Sequence, residues 1–166
     1  PIGSRGLGDV YKRQIQSNPA AQNALQVVNR LPVAVSGCVA EVETVCCPGN
    51  ARHTQSWALG DLEPLQTTTV GHKIAAEAGD SVTFAKLRLR RGAETLSRNV
   101  YWLSGRGGGD FSALAQWGEA KVGISAKISP GTAASTFVAR LENLAQTVAF
   151  FVGLKVAKGS AARTAR

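Results

Sequence analysis

Short segments in which apolar and polar residues alternate fill most of the chain, and this alternation limits most strongly how it can fold. A period of two places successive side chains on opposite faces of an extended strand, so each segment offers one face to a core. Glycine, proline, asparagine and aspartate occupy the gaps between segments, as is typical of turns. Strands are predicted at residues 24–29, 37–45, 52–59, 66–74, 82–90, 95–103, 121–128, 135–143 and 147–156.

Segment 82–90 shows the alternation most clearly. Small and aliphatic side chains fall on one face and mostly cationic ones on the other: Ala85, Leu87 and Leu89 against Phe84, Lys86, Arg88 and Arg90. One face is therefore expected in a core and the other in water. Strands of this kind, with polar turns and no helical periodicity between them, predict an all-β chain that forms an antiparallel β-sandwich.

Departures from the alternation divide the chain into regions. Residues 1–14 lack a strand pattern, and their GLGDVYKRQ resembles translated sequencing-adapter read-through, so we expect an artefactual or disordered extension. Residues 15–104 are predicted to form the sandwich, and residues 105–110 a glycine-rich linker. Residues 111–166 are predicted to form an incomplete second domain with a frayed basic tail, because three strands are too few for an independent sandwich.

The net charge of +8 suggests a polyanionic partner, but its distribution argues against one. Residues 1–14 contribute +2 and residues 157–166 contribute +3, which leaves +3 for everything between them. The cationic stripe Lys86, Arg88 and Arg90 lacks interleaved aromatic rings that could stack on bases. A solvated face, or a face docked on another domain, is favoured, and no nucleic-acid partner is predicted.

Membrane association is not predicted either. The longest apolar run, residues 148–152, is far shorter than the roughly 20 residues that span a bilayer. The first residues contain no apolar segment of the kind found in secretory signals, so the sequence itself indicates no compartment.

Acids and histidines are scattered and form no recognisable catalytic group. The best-spaced acids, Glu41 and Glu43, lie on the polar face of segment 37–45, and the alternation directs that face to solvent. A glycosidase needs two carboxyl groups that face each other at roughly 5–10 Å. His53 and His72 occur in no triad motif. No catalytic residue is predicted.

Metal and cofactor sites are not predicted. Cys38, Cys46 and Cys47 include an adjacent pair and no CxxC spacing, so neither a zinc site nor an even disulfide framework is indicated. Inert thiols, with Cys38 as a small core residue, are the favoured interpretation, and a disulfide from Cys38 to the pair is the alternative. The glycines of residues 105–109 lack the GK[ST] ending of a phosphate loop.

A family resemblance rests on residues 97–104, which read SRNVYWLS. This stretch resembles a motif in the immunoglobulin-like domain that follows the catalytic barrel in glycoside hydrolase family 2 enzymes of the β-mannosidase and exo-β-glucosaminidase type. The similarity continues upstream through LQVVNRLPVAVSGCVAEVETV and FAKLRLRRGAETL, and downstream through GGDFSALAQW and VARLENLAQTVAFFVGLKV. The resemblance implies that the sandwich is immunoglobulin-like and is followed by a truncated second immunoglobulin-like domain.

Two departures from the family pattern restrict what the resemblance implies. The catalytic glutamates of the family lie in its barrel, one of them directly after an asparagine, and this chain contains no Asn-Glu pair. No catalytic residue is therefore carried over. Members of the family continue past TVAFFVGLKV into a segment resembling WSDNYFSLLPGE, whereas this chain continues into AKGSAARTAR. We expect a truncation or a frame error near Ala157.

The resemblance implies a non-catalytic accessory region that braces the catalytic barrel of its parent chain. The parent would hydrolyse β-mannosides or β-glucosaminides and is compatible with a secreted or periplasmic location, while the region itself is expected to be inactive. A carbohydrate-binding module and an unrelated immunoglobulin-like interaction domain are the alternatives. The aromatic residues that could form a domain interface or contact a sugar are Trp57, Tyr101, Trp102 and Trp117.

Overall fold

The computed structural model describes residues 12–132, 135–150 and 152–155. They divide into two compact units, the first ending at Trp117 and the second beginning at Gly118. The strands of the first unit are β1 (Arg13–Asn18), β2 (Ala24–Asn29), β3 (Cys38–Cys47), β4 (Arg52–Ala58), β5 (Thr67–Lys73), β6 (Val82–Arg91) and β7 (Glu94–Ser104). Those of the second are β8 (Val122–Ser129) and β9 (Thr136–Asn143).

The first unit is a sandwich of two antiparallel sheets. One sheet has the order β1-β2-β5 and the other the order β4-β3-β6-β7, so the chain changes sheet after β2, after β4 and after β5. The helical elements of the described residues are two short 3₁₀ turns, Pro19–Ala21 and Ser112–Gln116. Neither turn is long or apolar enough to cross a bilayer. Three strands packed on four in this order form an immunoglobulin-like β-sandwich, which confirms the predicted all-β fold class.

The core lies between the inner faces of the two sheets, where alternate residues of each strand point inward. Leu87 and Leu89 of β6 and Leu25 of β2 are completely buried. The residues that form this core are Ile15, Leu25, Val27, Val35, Cys38, Ala40, Val42, Leu62, Ile74, Ala85, Leu87 and Leu89. Cys38 therefore lies in the core, as expected.

A buried asparagine joins the two loops that cross between the sheets. Asn29 is almost completely buried, and its Nδ2 donates to the carbonyl oxygens of Val33, Leu62 and Glu63 at 2.9–3.1 Å. Its Oδ1 accepts from the backbone N–H of Leu31 at 3.2 Å. Because an unpaired buried carbonyl costs about 1–3 kcal/mol, this amide stabilises both loops.

The structure contains a strand that the sequence analysis missed. Residues Arg13 and Gln14, predicted to belong to an artefactual extension, begin β1 and pair with Asn29 and Val28. Ile15 of this strand is completely buried. The structure differs from the prediction at these two positions, because a strand whose partners lie 6–16 residues away is stabilised by pairing and not by its own pattern. The rest of that extension, residues 1–11, lies outside the described residues.

Two further predictions differ from the structure. The strand predicted at 147–156 is absent from its described residues, 147–150 and 152–155. The expected linker at 105–110 does not separate the units, because the chain packs on the first unit as far as Trp117: the N–H of Gly105 donates to the carbonyl of Ser81, and Ala113 is buried. Alternation predicts single strands, and a high glycine content predicts a flexible backbone. Neither pattern predicts that a segment packs against a sheet. The predicted basic tail lies outside the described residues.

Gly105 is placed where no side chain fits. A Cβ at this position would overlap the carbonyl oxygens of Glu77 and Gly79 and the hydroxyl of Ser81. Gly105→Ala should therefore lower the free energy of unfolding by about 1–3 kcal/mol, because backbone has to shift to admit the methyl group. Urea unfolding followed by circular dichroism measures this loss as a lower midpoint.

Gly60→Ala is the matched control for that substitution. A Cβ at Gly60 meets no atom within 4 Å, and its backbone is not left-handed. We expect a change within about 0.5 kcal/mol. Equal effects of the two substitutions would show that close packing around Gly105 is not the cause.

Candidate functional site

Charged side chains cover the outer face of the four-stranded sheet, and most of them are paired. Glu43 of β3 lies between Arg52 of β4 (3.2 Å) and Lys86 of β6 (3.7 Å). Glu41 accepts from Arg88 at 3.4 Å and from Arg90 at 3.3 Å. The cross-strand register of β4, β3 and β6 creates this ladder, because residues two apart on each strand share a face. We call these six residues the charged face.

On the charged face, each of the two glutamates, Glu41 and Glu43, pairs with its own two cations. Catalysis of glycoside hydrolysis needs one protonated acid facing an ionised partner across a bond. Arg98 of β7 lies opposite Arg88 and is exposed, so this side of the sheet carries five cations against two carboxylates. The prediction that Glu41 and Glu43 point outward is confirmed.

The other sheet has a different outer surface. Amide and hydroxyl side chains bond across its strands: Asn18 Nδ2 donates to Gln26 Oε1 at 3.1 Å, and Gln26 Nε2 donates to Thr69 Oγ1 at 3.3 Å. These uncharged polar pairs contrast with the ion pairs on the outer face of the four-stranded sheet.

An aromatic cluster adjoins the charged face at one end of β6 and β7. Phe84 lies edge-on to both Trp102 and Trp117, with ring centroids 5.0 Å apart in each case, and Trp102 lies 6.1 Å from Phe111. Trp117 Nε1 donates to Asn50 Oδ1 at 3.0 Å. This cluster attaches the segment after β7 to the outer face of the sheet.

Trp57 and Tyr101 lie elsewhere, on the inner side of the sandwich. Trp57 packs against the core, and its ring centroid lies 4.7 Å from that of His72. The hydroxyl of Tyr101 accepts from the N–H of Ser17 at 3.1 Å and from Asn99 Nδ2 at 3.0 Å. Both residues bridge the two sheets.

The four aromatic residues singled out from the sequence thus separate into two pairs. Trp102 and Trp117 come together through Phe84, whereas Trp57 and Tyr101 join neither of them. A sugar stacks on the open flat face of a ring, but the rings of the cluster are half-buried or buried and inclined by 62–84° to one another. The cluster contains Phe84 and Phe111, which the sequence analysis did not select. Phe84 was detectable there as the one aromatic residue on the cationic face of segment 82–90.

A cleft of about 230 Å³ is lined by residues of β3, β4, β5 and β6 and of the segment that follows β5. Polar and titratable groups from both sheets line it together with a few apolar ones: Val42, Thr44, Cys46, His53, Gln55, His72, Lys73, Ile74, Ala75, Glu77 and Thr83. The two histidines of the chain therefore share one cleft, which their separation in sequence did not indicate. In the described ranges, no three histidine, cysteine or acidic side chains converge closely enough to hold a metal ion.

The thiol in this cleft is suited to packing and not to nucleophilic chemistry. Burial raises the pKa of Cys46, and the hydrogen bond to Glu77 Oε2 at 3.3 Å raises it further. Burial also raises the pKa values of Cys38 and Cys47. All three are free thiols. A reactive cysteine needs a lowered pKa, so none of the three is activated.

Asp110 illustrates the opposite shift. The N–H of Ser112 donates to its Oδ1 at 2.9 Å, and Arg106 Nη1 donates to its Oδ2 at 3.2 Å. The hydrogen bonds from Ser112 and then Arg106 lower the pKa of Asp110. A general acid of a glycosidase needs a raised pKa, so Asp110 serves to order the turn after β7.

The fold and the faces described above define an immunoglobulin-like β-sandwich module with its polar chemistry on the outside. No protein-family model matches the sequence, and no curated protein matches it. Among solved structures, the chain is similar to Amycolatopsis orientalis exo-chitosanase CsxA, with a TM-score of 0.61 and 24% identity over 80% of this chain.

Further structures of that enzyme show the same likeness. A variant in complex with PNP-β-D-glucosamine gives a TM-score of 0.61 at 22% identity. The exo-β-D-glucosaminidase CsxA with a glucosamine-configured castanospermine and an amino-australine analogue gives 0.60 at 24% identity. Each match covers 80% of this chain, which spans 18% of the length of the enzyme chain. At these identities, the likeness shows the fold.

Phe84→Ala should destabilise the first unit by about 3–5 kcal/mol, because Phe84 is 6% exposed and contacts two tryptophans. Loss of the ring should also expose Trp102 and Trp117 to water and shift the tryptophan emission to longer wavelength. Val100→Ala is the control on the same outer face, where the side chain is 54% exposed and the expected loss is within about 0.5 kcal/mol. Similar losses in both variants would contradict the packing role of Phe84.

The three thiols should react with a disulfide reagent such as DTNB only after unfolding, because each is buried and has a raised pKa. Burial penalises the thiolate, so stability is fully present below the pKa of the unfolded thiols and falls as alkaline pH ionises them. Thiol titration in buffer and in urea measures this difference. Rapid reaction of Cys46 in the folded chain would contradict it.

Proposed function

We propose that this chain is a non-catalytic accessory region of a family 2 glycoside hydrolase. In this proposal, the parent polypeptide hydrolyses β-mannosides or β-glucosaminides, and the first unit packs against its catalytic barrel and braces it. The observation that carries the proposal is the likeness in fold between 80% of this chain and 18% of an exo-chitosanase chain. The SRNVYWLS motif supports the same family independently of the fold, because that resemblance lies in the amino-acid sequence.

The arrangement of acids supports a non-catalytic role. Glu41 and Glu43 are paired with cations on the outer sheet face, and Asp80 and Asp110 both bond to exposed Arg106. Glu77 shares the cleft with two histidines and a cysteine but with no second carboxyl group. Each of these acids is engaged by a cation or a thiol, an arrangement that supports a non-catalytic role.

The charged face and the aromatic cluster are the best candidates for the surface that contacts the barrel. Arginine and aromatic side chains are enriched in protein interfaces. On this side of the sheet, the exposed Val100 lies opposite Lys86 and two residues before Trp102 on β7. The ion pairs are only partly exposed, with side-chain accessibilities of 22–47%. An acidic barrel surface would complement the excess of positive charge.

A direct test is to assay the purified chain with PNP-β-D-glucosamine and PNP-β-D-mannoside. We expect no release of nitrophenol above the buffer rate, whereas the exo-chitosanase CsxA at the same concentration serves as the positive control for the first substrate. Migration of the chain in native gels that contain soluble chitosan or mannan should also be unchanged, because the aromatic rings of the described cluster are half-buried or buried and inclined to one another.

Two outcomes would overturn the proposal. Turnover that disappears in Glu41→Gln or Glu43→Gln would show an active site in the chain, and retardation by a polysaccharide that disappears in Trp117→Ala would show a carbohydrate-binding module. The bracing role would also be excluded if the parent reading frame encoded no (β/α)₈ barrel upstream of this region.

A further inference from the structure

Three side chains of different character lie along the outer side of β7. Arg98, Val100 and Trp102 alternate with inward residues and lie opposite Arg88, Lys86 and Phe84 of β6, so they share the outer face of the sheet. Arg98 is exposed, Val100 is 54% exposed and Trp102 is half-buried in the aromatic cluster. We call Arg98, Val100 and Trp102 the β7 stripe. Arginine and tryptophan are the side chains most enriched at the energetic centres of protein interfaces.

One row of side chains across the sheet ends in two cations with no acid beyond them. Glu41 of β3 lies opposite Arg88 of β6, and Arg88 lies opposite Arg98 of β7. The carboxylate of Glu41 already accepts from Arg88 at 3.4 Å and from Arg90 at 3.3 Å. Within the described part of the chain, no ion pair joins the Arg98 guanidinium to an acid.

Two guanidinium groups on directly opposed residues repel each other. The Cβ atoms of such cross-strand pairs are about 4.5–5.5 Å apart, and like charges there are destabilising. Glu41 offsets the charge of Arg88 on one side, whereas Arg98 has no such counter-ion among the described residues. A carboxylate that bonds to both guanidinium groups would replace this repulsion with charge-assisted hydrogen bonds.

The neighbouring row has a different composition. Lys86 pairs with Glu43 at 3.7 Å and lies opposite the aliphatic Val100. The β7 stripe therefore offers a position for an acid at Arg98 and an apolar contact two residues further along the same strand. A surface that fits it carries a carboxylate next to an apolar side chain.

We propose that Arg98, together with Arg88, binds a carboxylate of an acidic protein surface that packs against the β7 stripe. The planar fork of a guanidinium matches the two oxygens of a carboxylate, which gives this contact direction as well as energy. The inference rests on the function proposed above, in which that surface belongs to the catalytic barrel of the parent chain. It adds the side chains that recognise the surface and the chemical group that they bind.

An NMR titration of the whole chain with sodium glutarate tests the carboxylate site. Glutarate carries the same group as acidic side chains, and NaCl holds the ionic strength constant, so general screening does not change. We expect the Nε–Hε resonances of Arg88 and Arg98 to shift together, with a dissociation constant of roughly 1–20 mM because the site is open to water. Arg98→Gln should weaken this binding at least about fivefold.

Arg140→Gln is the matched control for the titration. It removes the same charge from an exposed arginine of the second unit and should leave glutarate binding at Arg88 and Arg98 unchanged. Sodium sulfate is the second probe, because arginine also binds this tetrahedral anion. Sulfate binding more than about tenfold tighter than glutarate binding would overturn the assignment to a protein carboxylate. Shifts of equal size in all arginines would also overturn it.

Urea unfolding gives a second measurement that needs no ligand. In about 0.02 M NaCl, Arg98→Glu should raise the urea midpoint, because it places a carboxylate opposite Arg88 where the unaltered chain has a cation. This gain should shrink in about 0.5 M NaCl, where salt screens both interactions. A midpoint for Arg98→Glu below that of the unaltered chain would show that the position does not accept a carboxylate, and would contradict the inference.

This inference and the proposed function can fail separately. A barrel upstream in the parent reading frame, without glutarate binding at Arg88 and Arg98, would overturn the inference and leave the accessory role in place. Glutarate binding that Arg98→Gln removes, in a chain whose parent encodes no barrel, would exclude the bracing role and support the carboxylate site.

Discussion

The pairing of β3 with β6 is the interaction on which the rest of the first unit depends. These two strands occupy the centre of the four-stranded sheet and pair in register from Cys38 opposite Arg91 to Cys47 opposite Val82. That register brings Ala40 and Val42 beside Leu89 and Leu87 on the inner face. It also brings Glu41 and Glu43 beside arginine and lysine on the outer face. Since the side-chain period is two, a slip by one residue would exchange the core with the charged face, so burial and ion pairing select the same register.

Cross-sheet side-chain hydrogen bonds complete the sandwich around this centre. At its edge, β1 donates backbone N–H groups of Ile15 and Ser17 to the hydroxyls of Ser97 and Tyr101 in the opposite sheet. Asn29 joins the loops that cross between the sheets. The segment after β7 returns to the sheet through Phe111 and Trp117. Long-range contacts of this kind explain why a glycine-rich stretch that resembles a linker forms part of the folded unit.

The described residues of the second unit show the same alternating pattern without a second sheet beside it. β8 and β9 alternate as regularly as β6, yet their apolar side chains remain exposed, because burial requires a second sheet and not only a strand with the correct period. In the first unit, the neighbours of each acidic residue likewise decide what that residue can do. Glu41 and Glu43 lie on the outer sheet face, and Asp80 and Asp110 lie in exposed turns, each of the four beside at least one cation.

The sequence by itself determined the strands, the direction of their faces and the fold class. Eight of the nine predicted strands are present, and the outward orientation of Glu41 and Glu43 followed from alternation alone, because a pleated strand imposes its period locally. Only the tertiary structure decided which residues meet. β1, the docking of residues 105–117, the joining of Trp102 to Trp117 through Phe84, and the meeting of His53 with His72 in one cleft all depend on contacts between distant segments. Such contacts are set by how the sheets stack, and no local pattern in the chain encodes them.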